Sequence, residues 1–415
     1  MSGVFRKFLT ATAVSDTANG VFAVAATMTT AATTHSAMAV AAVTVAATLP
    51  WLIAAVPAGV LVDRINPVRA ITFANLGRCA AMLGLAGLIW AHAALPVTVP
   101  LLVFVVSCFQ TVVDTAAEVV TANSVDDARR TRANGLLALS TRLFYQFVGP
   151  ALAGVLVDVD PVLPGVLSGL ACLAAALVAA QLPRAAAEAR SEEASTGFWD
   201  GARIVFSRPI LATLVGVGGL TTIANSIFYT ILVVYAIEPG PLGLSASEYG
   251  FVIGATGVGA AVGALMTHHV ERWLGRSMTL VLTRVGWALV FAGPLFAGGV
   301  LLTVVMAAGS ALGGMWSVES MSVRQLIVDR ADLGRVSGAS RMLTYGMTPV
   351  GSAIGGSVAL AVGAKTLFVV STVLTLLTII LIRAYLPDRA IEAATRQSES
   401  AVEQEPVASE GKNVR

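Results

Sequence analysis

The apolar segments of this chain occur in two sets of six, and the second set repeats residues of the first. Residues 18–22 read Ala-Asn-Gly-Val-Phe, and residues 224–228 read Ala-Asn-Ser-Ile-Phe. Arg78 in the third segment likewise corresponds to Arg284 in the ninth, so the repeat has an offset of roughly 200 residues. A duplicated set of apolar segments predicts two similar helical bundles in parallel repeat.

The composition requires a membrane around these bundles. Of the 415 residues, 56% are hydrophobic and 12% are charged, whereas soluble domains carry about 25% charged residues. Because a helix needs about 20 apolar residues to cross the hydrocarbon core, we predict an all-α membrane protein with twelve transmembrane helices in two pseudo-symmetric six-helix bundles. The predicted spans are residues 10–33, 37–62, 70–92, 98–123, 134–157, 162–182, 209–236, 247–268, 277–297, 299–324, 336–362 and 365–387.

The same pattern divides the chain into four parts. The N-terminal bundle covers residues 1–182, and a polar linker covers 183–208, with an amphipathic segment from Phe198 to Phe206 that suits a membrane interface. The C-terminal bundle covers 209–387. The polar residues 388–415 are expected to form a disordered tail.

The placement of charge predicts the orientation in the membrane. Arginines concentrate in the N-terminal tail and in alternate loops, whereas the opposite loops hold Asp158, Asp160, Glu238 and Glu248, with Lys365 as their sole cation. Positive residues stay on the cytoplasmic side. We therefore expect a multi-pass protein of the inner or plasma membrane with both termini and the linker in the cytoplasm, and a first helix that is retained rather than cleaved.

Particular motifs resemble a known family. Gly59-Val60-Leu61-Val62-Asp63-Arg64, followed by Arg69, resembles the signature loop of the major facilitator superfamily. The segments 132–135 and 149–154, and in the second half 322–325 and 348–351, resemble its exporter branch of macrolide, tetracycline-type and siderophore efflux proteins. The resemblance implies that Asp63 and Arg64 belong to a gate, and that Asp63 interacts with the N-terminus of the eleventh span near Arg335.

The first span departs from the exporter pattern. That branch often carries Ser-x-x-Gly-Asp there, whereas this chain has Asn19 at the acidic place and Asp16 three residues earlier, on nearly the same helix face. No arginine lies at the depth of Asp16 on the first or second span. Asp16 is therefore a candidate proton carrier or cation anchor, with a capped structural aspartate as the alternative, and Asp114 is the second candidate.

The other ionisable residues inside spans predict ion pairs. Estimated depths match Arg78 to Asp114 or Glu118, and Arg284 to Glu319, as two pseudo-symmetric clusters that are either structural or part of a gate. An ionisable residue within a span is costly and functional by default. The full set for gating and ion pairs is Asp63, Arg64, Arg78, Glu118, Arg142, Arg284, Glu319 and Arg341.

Polar and aromatic residues in the spans are candidates for a substrate cavity. Few of them carry formal charge, which suits a largely apolar ligand, although many tyrosines and tryptophans serve instead as interface anchors or packing residues. The candidates are Asn19, Gln110, Tyr145, Gln146, Asn225, Tyr229, Trp316 and Tyr345.

Proline and glycine residues mark the fifth and eleventh spans. Pro150 and Pro349 each remove a backbone hydrogen bond and predict a kink. The flanking Gly149, Gly154 and Gly351 allow close helix approach. In the exporter branch that this chain resembles, such a motif is associated with outward transport.

Together these features and the resemblance imply a proton-coupled exporter of small hydrophobic compounds, such as an antibiotic, drug or secondary metabolite, by alternating access. An uptake permease and a non-transporting membrane sensor on the same fold are the alternatives. Enzymatic activity, a cofactor and a metal site are not expected, because no nucleophile–base or metal-ligand pattern occurs. The expected partners are a small-molecule substrate, protons and the lipid bilayer, with no nucleic acid, and the chain is expected to be a monomer.

Overall fold

The fold was obtained as a computed structural model. The structure describes residues 3–53, 58, 61–62, 64–92, 95–124, 136–137, 139–181, 197–329, 332–394 and 396. Described residues are overwhelmingly helical, in agreement with the predicted all-α architecture. The long helices are α1 (Gly3–Thr34), α2 (Ala37–Ile53), α3 (Pro67–Trp90), α4 (Leu95–Ser124), the π-helix π1 (Thr141–Val148), α5 (Gly149–Val159), α6 (Leu163–Ala180), α7 (Gly197–Ser207), α8 (Pro209–Ala236), α9 (Ala246–Leu274), α10 (Arg276–Ala292), α11 (Gly299–Ile327), α12 (Leu333–Tyr345), α13 (Thr348–Val362) and α14 (Ala364–Tyr385).

Eight of the described helices are long and apolar enough to cross a membrane, namely α3, α4, α6, α8, α9, α10, α11 and α14. The shorter apolar helices include α2 and the segment Leu143–Val159. Helix ends follow local sequence signals. Asn66 Oδ1 accepts from the backbone N–H of Val68 at the start of α3, and Ser245 with Glu248 forms a capping box at the start of α9.

The packing of the helices shows the internal repeat. Within the first half, α1 packs on α5 and α6, and α3 packs on α4 and α6. The second half repeats this arrangement, since α8 packs on α13 and α14, and α10 packs on α11 and α14. The halves meet through two equivalent pairs, α2 with α13 and α5 with α9. The duplicated sequence thus folds into two bundles with duplicated contacts.

The fifth and eleventh spans are not continuous α-helices. Residues before Pro150 form π1, and residues before Pro349 form a turn at Gly346 and Met347 that separates α12 from α13. The predicted single helices 134–157 and 336–362 are therefore each interrupted in the described structure. The physical cause is the proline, which has no N–H to continue the ladder.

Two segments outside the spans are also ordered. Helix α7 lies in the region predicted to be amphipathic and packs on α12, with Val205 buried and Trp199 exposed. Residues 388–394 are helical, so disorder is the wrong prediction for this part of the tail. Asp388 accepts from the N–H of Ser277 at 2.8 Å, and the side chain of Ile391 is buried, which together explain the order.

The two faces of the bundle differ in how the halves meet. The terminal face carries residue 3, α7 and residues 388–394, and the opposite face carries residues 34–37, 158–163 and 236–246. Toward the opposite face, one apolar cluster joins Met28 and Ala31 of α1 to Phe228 and Phe368 of the second half. At the terminal face, the described apolar residues form separate clusters in each half. The described contacts therefore close the opposite face.

Helices α9 and α11 approach each other through glycine. A Cβ atom added to Gly263 would lie 2.6 Å from the carbonyl carbon of Ala311 and closer still to its oxygen. Because backbone cannot yield as a flexible side chain can, Gly263→Val is expected to destabilise the second bundle by about 1–3 kcal/mol or more. The check is the yield of monodisperse protein and its thermal unfolding in detergent.

Gly84→Val is the matched control, because an added Cβ there meets nothing within 4 Å. Equal yield and equal unfolding temperature for the two variants would mean that this contact does not support the bundle.

Candidate functional site

Asp16 is buried on α1 and is held by the fifth span. Its side chain is only 9% exposed, and its Oδ2 accepts hydrogen bonds from Ser140 Oγ and Thr141 Oγ1, both at 3.2 Å. Burying a carboxylate is costly unless it is hydrogen-bonded, and these two hydroxyls meet that need. The structure thus places the predicted carboxylate at the junction of α1 and π1.

Arg78 is fully buried, and its described partners do not include Asp114, one of the two predicted carboxylates. Its Nη1 donates to Ser15 Oγ at 2.7 Å and to Asn75 Oδ1 at 3.0 Å. Asp114 instead accepts from Gln110 Nε2 at 2.7 Å. Asp114 is therefore the wrong partner for Arg78, because equal depth along two helices does not fix the direction in which each side chain points. The alternative pair of Arg78 with Glu118 stays a prediction, since the side chain of Glu118 lies outside the described part of the chain.

The predicted pair of Arg284 with Glu319 is also wrong. Arg284 Nη1 donates to Thr221 Oγ1 at 2.6 Å, and the guanidinium lies 4.0 Å from the centroid of the Trp316 ring. Such a contact is a cation–π interaction. Glu319 is buried without a described hydrogen-bond partner, and the charged groups that act on it are Glu271, Arg276 and Asp388 near the terminal face.

The two buried arginines occupy equivalent places in the repeat. Arg78 reaches from α3 to Ser15 on α1, and Arg284 reaches from α10 to Thr221 on α8, at the same offset along the chain. Both retain guanidinium nitrogens that lack a described hydrogen-bond partner. Each bundle therefore ties its first span to its third through an arginine–hydroxyl contact.

The remaining cavity candidates differ in exposure. Gln110 is buried, whereas Gln146 and Tyr345 are exposed. Trp316 also approaches Gly218 of α8, where an added Cβ would lie 3.7 Å from its ring. The half-buried candidates are Asn19, Tyr145, Asn225, Tyr229 and Trp316.

The gate candidates are only partly described. Asp63 lies outside the described residues, and so do the side chains of Glu118 and Arg142. Arg64 and Arg341 are exposed. The predicted contact of Asp63 with the eleventh span stays a prediction.

Sequence reasoning missed the hydroxyl partners in this site. Ser15, Ser140, Thr141 and Thr221 bind ionisable side chains on other helices. Most span threonines, Thr221 among them, donate to a carbonyl one turn back on their own helix, as Thr121 does to Ala117. No sequence signal marks the hydroxyl residues that also bind an ionisable side chain.

Helix α5 of the first half and helix α9 of the second half approach each other closely at the opposite face. Asp158, beyond the end of the apolar part of α5, accepts from the N–H groups of Ala246 and Ser247 at 3.0 and 2.8 Å. Gly154 and Gly250 bring the two backbones together one turn deeper. A carboxylate of one half thus caps a helix of the other half, which the positive N-terminal end of a helix favours.

Gly356 occupies the equivalent contact of α13 with α2. An added Cβ there would lie 3.1 Å from the Ala37 carbonyl oxygen and 3.2 Å from the Met38 Cα. Gly149 and Gly351, in contrast, pack within their own halves, against Gly20 and Ser226 respectively. Glycines of the fifth and eleventh spans therefore serve contacts within a bundle as well as between bundles.

Asp158→Ala is expected to weaken closure of the opposite face. Loss of a helix-capping side chain costs about 1 kcal/mol, which corresponds to a shift of about fivefold in a two-state equilibrium. Distances between spin labels at residues 160 and 300, on opposite halves of this face, would report the shift. Glu238→Ala is the control, since Glu238 is an exposed acidic residue of the same face. An unchanged distance distribution in Asp158→Ala would exclude this role.

Comparison with known proteins identifies the family. The family described as transmembrane secretion effector matches residues 1–415. The chain belongs to this family. Transmembrane secretion effectors fall within the major facilitator superfamily that the signature loop resembled, so this part of the sequence prediction is confirmed. No curated protein matches the chain.

Solved structures share the fold of this chain. A bacterial homologue of the human lysosomal transporter Spinster, inward-facing and unoccupied, has a TM-score of 0.69 at 12% identity and covers 96% of this chain and 98% of its own. The nucleoside transporter NupG has a TM-score of 0.70 at 11% identity, with coverage of 92% and 99%. A bacterial homologue of the iron transporter ferroportin in an inward-facing state has a TM-score of 0.68 at 14% identity, with coverage of 92% and 99%. The family match and the shared fold together make the chain a multi-pass membrane transporter of the major facilitator type.

Proposed function

We propose that this transporter is a proton-coupled exporter of small hydrophobic compounds that works by alternating access. The observation that carries the proposal is the burial of Asp16 at the junction of α1 and π1, with hydroxyl groups as its described hydrogen-bond donors. A carboxylate in this environment can take up and release a proton as its surroundings change. The family's description as a secretion effector supports outward transport.

The shape of the described bundle supports alternating access. The halves meet toward the opposite face, through the Met28 cluster and the cap of Asp158 on α9. The basic loops favour a cytoplasmic terminal face. With this orientation the face at which the halves are joined is the outer one, which fits the state in which an exporter takes up its cargo from the cytoplasm.

The chemistry of the candidate cavity favours a hydrophobic substrate. Its side chains are mainly aromatic rings and amides, among them Tyr229, Asn225 and Trp316. Arg284 already stacks on the Trp316 ring and donates to Thr221. Apolar walls with a few orienting polar groups are typical of sites for small hydrophobic ligands.

The test is transport in proteoliposomes of determined orientation. A panel of labelled lipophilic compounds is offered with an imposed pH gradient, without a gradient, and with an uncoupler. The expected result is gradient-dependent movement from the terminal face to the opposite face that the uncoupler abolishes. A pump-deficient strain that expresses the chain should show lower susceptibility to the same compounds.

Two results would overturn the proposal while leaving the family unchanged. Gradient-driven movement from the opposite face to the terminal face would make the protein an uptake permease. Transport that follows a sodium gradient and ignores the pH gradient would remove proton coupling.

A further inference from the structure

The fifth span contains an eight-residue π-helix beside the candidate coupling carboxylate. In π1 the N–H of Gly149 donates to the carbonyl of Phe144, five residues back. Pro150, the next residue, has no N–H to donate. A π-helix carries an extra residue per turn, is rarely longer than one turn and is frequent at functional sites. An eight-residue π-helix in this position therefore calls for a functional explanation.

The N-terminal end of π1 binds Asp16. Ser140, the residue that precedes π1, is buried, and its hydroxyl shares Asp16 Oδ2 with the hydroxyl of Thr141. The other described ionisable groups around Asp16 are Arg78 of α3 and Tyr145 of π1, and Asp114 of α4 acts on Tyr145. Ser140 and Thr141 are the described residues that donate hydrogen bonds to Asp16.

The C-terminal part of π1 contacts both halves through its carbonyl groups. A Cβ atom added to Gly20 of α1 would lie 2.5 Å from the Tyr145 oxygen. On α9, of the other half, a Cβ added to Gly257 would lie 2.7 Å from the Gln146 oxygen, and one added to Gly254 would lie 3.2 Å from the Phe147 oxygen. Successive carbonyls of π1 thus lie against α1 and α9.

We propose that Ser140 and Thr141 are positioning residues for the Asp16 carboxylate, and that π1 couples the protonation of Asp16 to the contact between the halves. This inference rests on the proposed role of Asp16 in proton coupling. Ionised Asp16 accepts both hydroxyls and holds the start of π1 in its present register. A proton on Oδ2 removes acceptor capacity there, which releases the two hydroxyls.

Release of the hydroxyls lets π1 tighten toward an α-helix. A π-helical turn contains one residue more than an α-helical turn. One residue of an α-helix corresponds to about 100° of rotation and 1.5 Å of rise, so the change from π-helix to α-helix moves the carbonyls that lie against Gly254 and Gly257. These carbonyls belong to the contact of π1 with α9, which continues along the chain into the α5–α9 contact that closes the opposite face. The protonation state of Asp16 is therefore linked to closure of the opposite face through a contiguous element with two backbone states.

The test removes the hydroxyls and keeps the side-chain volumes. In the double variant Ser140→Ala with Thr141→Val, the midpoint of the pH dependence of gradient-driven transport is expected to shift by about one pH unit or more. The distance between labels at residues 160 and 300 is expected to lose its response to pH. Thr141→Ser, which keeps the hydroxyl, should behave as wild type.

The single variants Ser140→Ala and Thr141→Val, each with one hydroxyl removed, carry the same test if the double variant does not fold. Suppose that Asp16→Asn is inactive in uphill transport, but both single variants, or the double variant, keep the wild-type pH dependence. That result would overturn the positioning role of Ser140 and Thr141. Uphill transport by Asp16→Asn would instead overturn the proposed function on which this inference rests. The two failures are therefore distinguishable.

Discussion

Asp16→Asn is expected to reduce uphill transport to the level of empty vesicles while downhill exchange and protein yield stay normal. Asparagine keeps the size of the side chain and an oxygen that can accept from Ser140 and Thr141. It cannot take up or release a proton, so substrate movement loses its link to the gradient. The measurements are gradient-driven accumulation and gradient-free exchange of the same labelled compound in matched proteoliposomes.

Asp200→Asn is the matched control, because this aspartate is exposed on α7, outside the spans. It should retain both activities. Normal uphill transport by Asp16→Asn at neutral pH would exclude Asp16 as the coupling residue. Asp114→Asn would then be the next variant to measure.

Gly154→Val is expected to abolish transport by preventing closure of the opposite face. A Cβ at residue 154 would lie 2.9 Å from Ser247 Cα and 3.0 Å from the Ala246 carbonyl carbon on α9. Both are backbone atoms of the other half, so the two halves must separate to make room. Because this contact lies between the bundles, each bundle can still fold. Labels at residues 160 and 300 should report a longer distance, and uphill transport should fall to background.

Gly216→Val is the control for Gly154→Val, since it adds the same side chain to a span glycine with no atom within 4 Å of the new Cβ. It should transport normally. Wild-type distances and transport in Gly154→Val would show that the α5–α9 contact does not limit closure.

The sequence predicted the architecture because the bilayer imposes a local requirement. Each span must supply its own apolar length and backbone hydrogen bonds, so the spans and the repeat can be read along the chain. The signature loop at residues 59–64 led to the superfamily, and the family match agrees with it. Pro150 and Pro349 also marked the two interrupted spans, because loss of an N–H is a property of the residue itself.

The same reasoning failed for the partners of the buried polar groups. Depth matched Arg78 to Asp114 or Glu118, and Arg284 to Glu319, yet the described partners of the two arginines include Ser15 and Thr221. The rise per residue gives the depth of a side chain, but the direction in which it points depends on the rotation of its helix within the bundle. Packing sets that rotation, and here glycines such as Gly20 against Gly149 bring distant segments together.

By itself, then, the sequence determined the membrane class, the duplicated six-helix plan, the superfamily and the sites of backbone interruption. Only the tertiary structure decided that π1 replaces an α-helix, that Ser140 and Thr141 bind Asp16, and that Asp158 caps α9 of the other half. The physical reason is the range of the interactions. Hydrophobic length and proline chemistry act within one segment, whereas each of these polar contacts joins helices whose relative rotation and spacing are fixed by packing across the bundle.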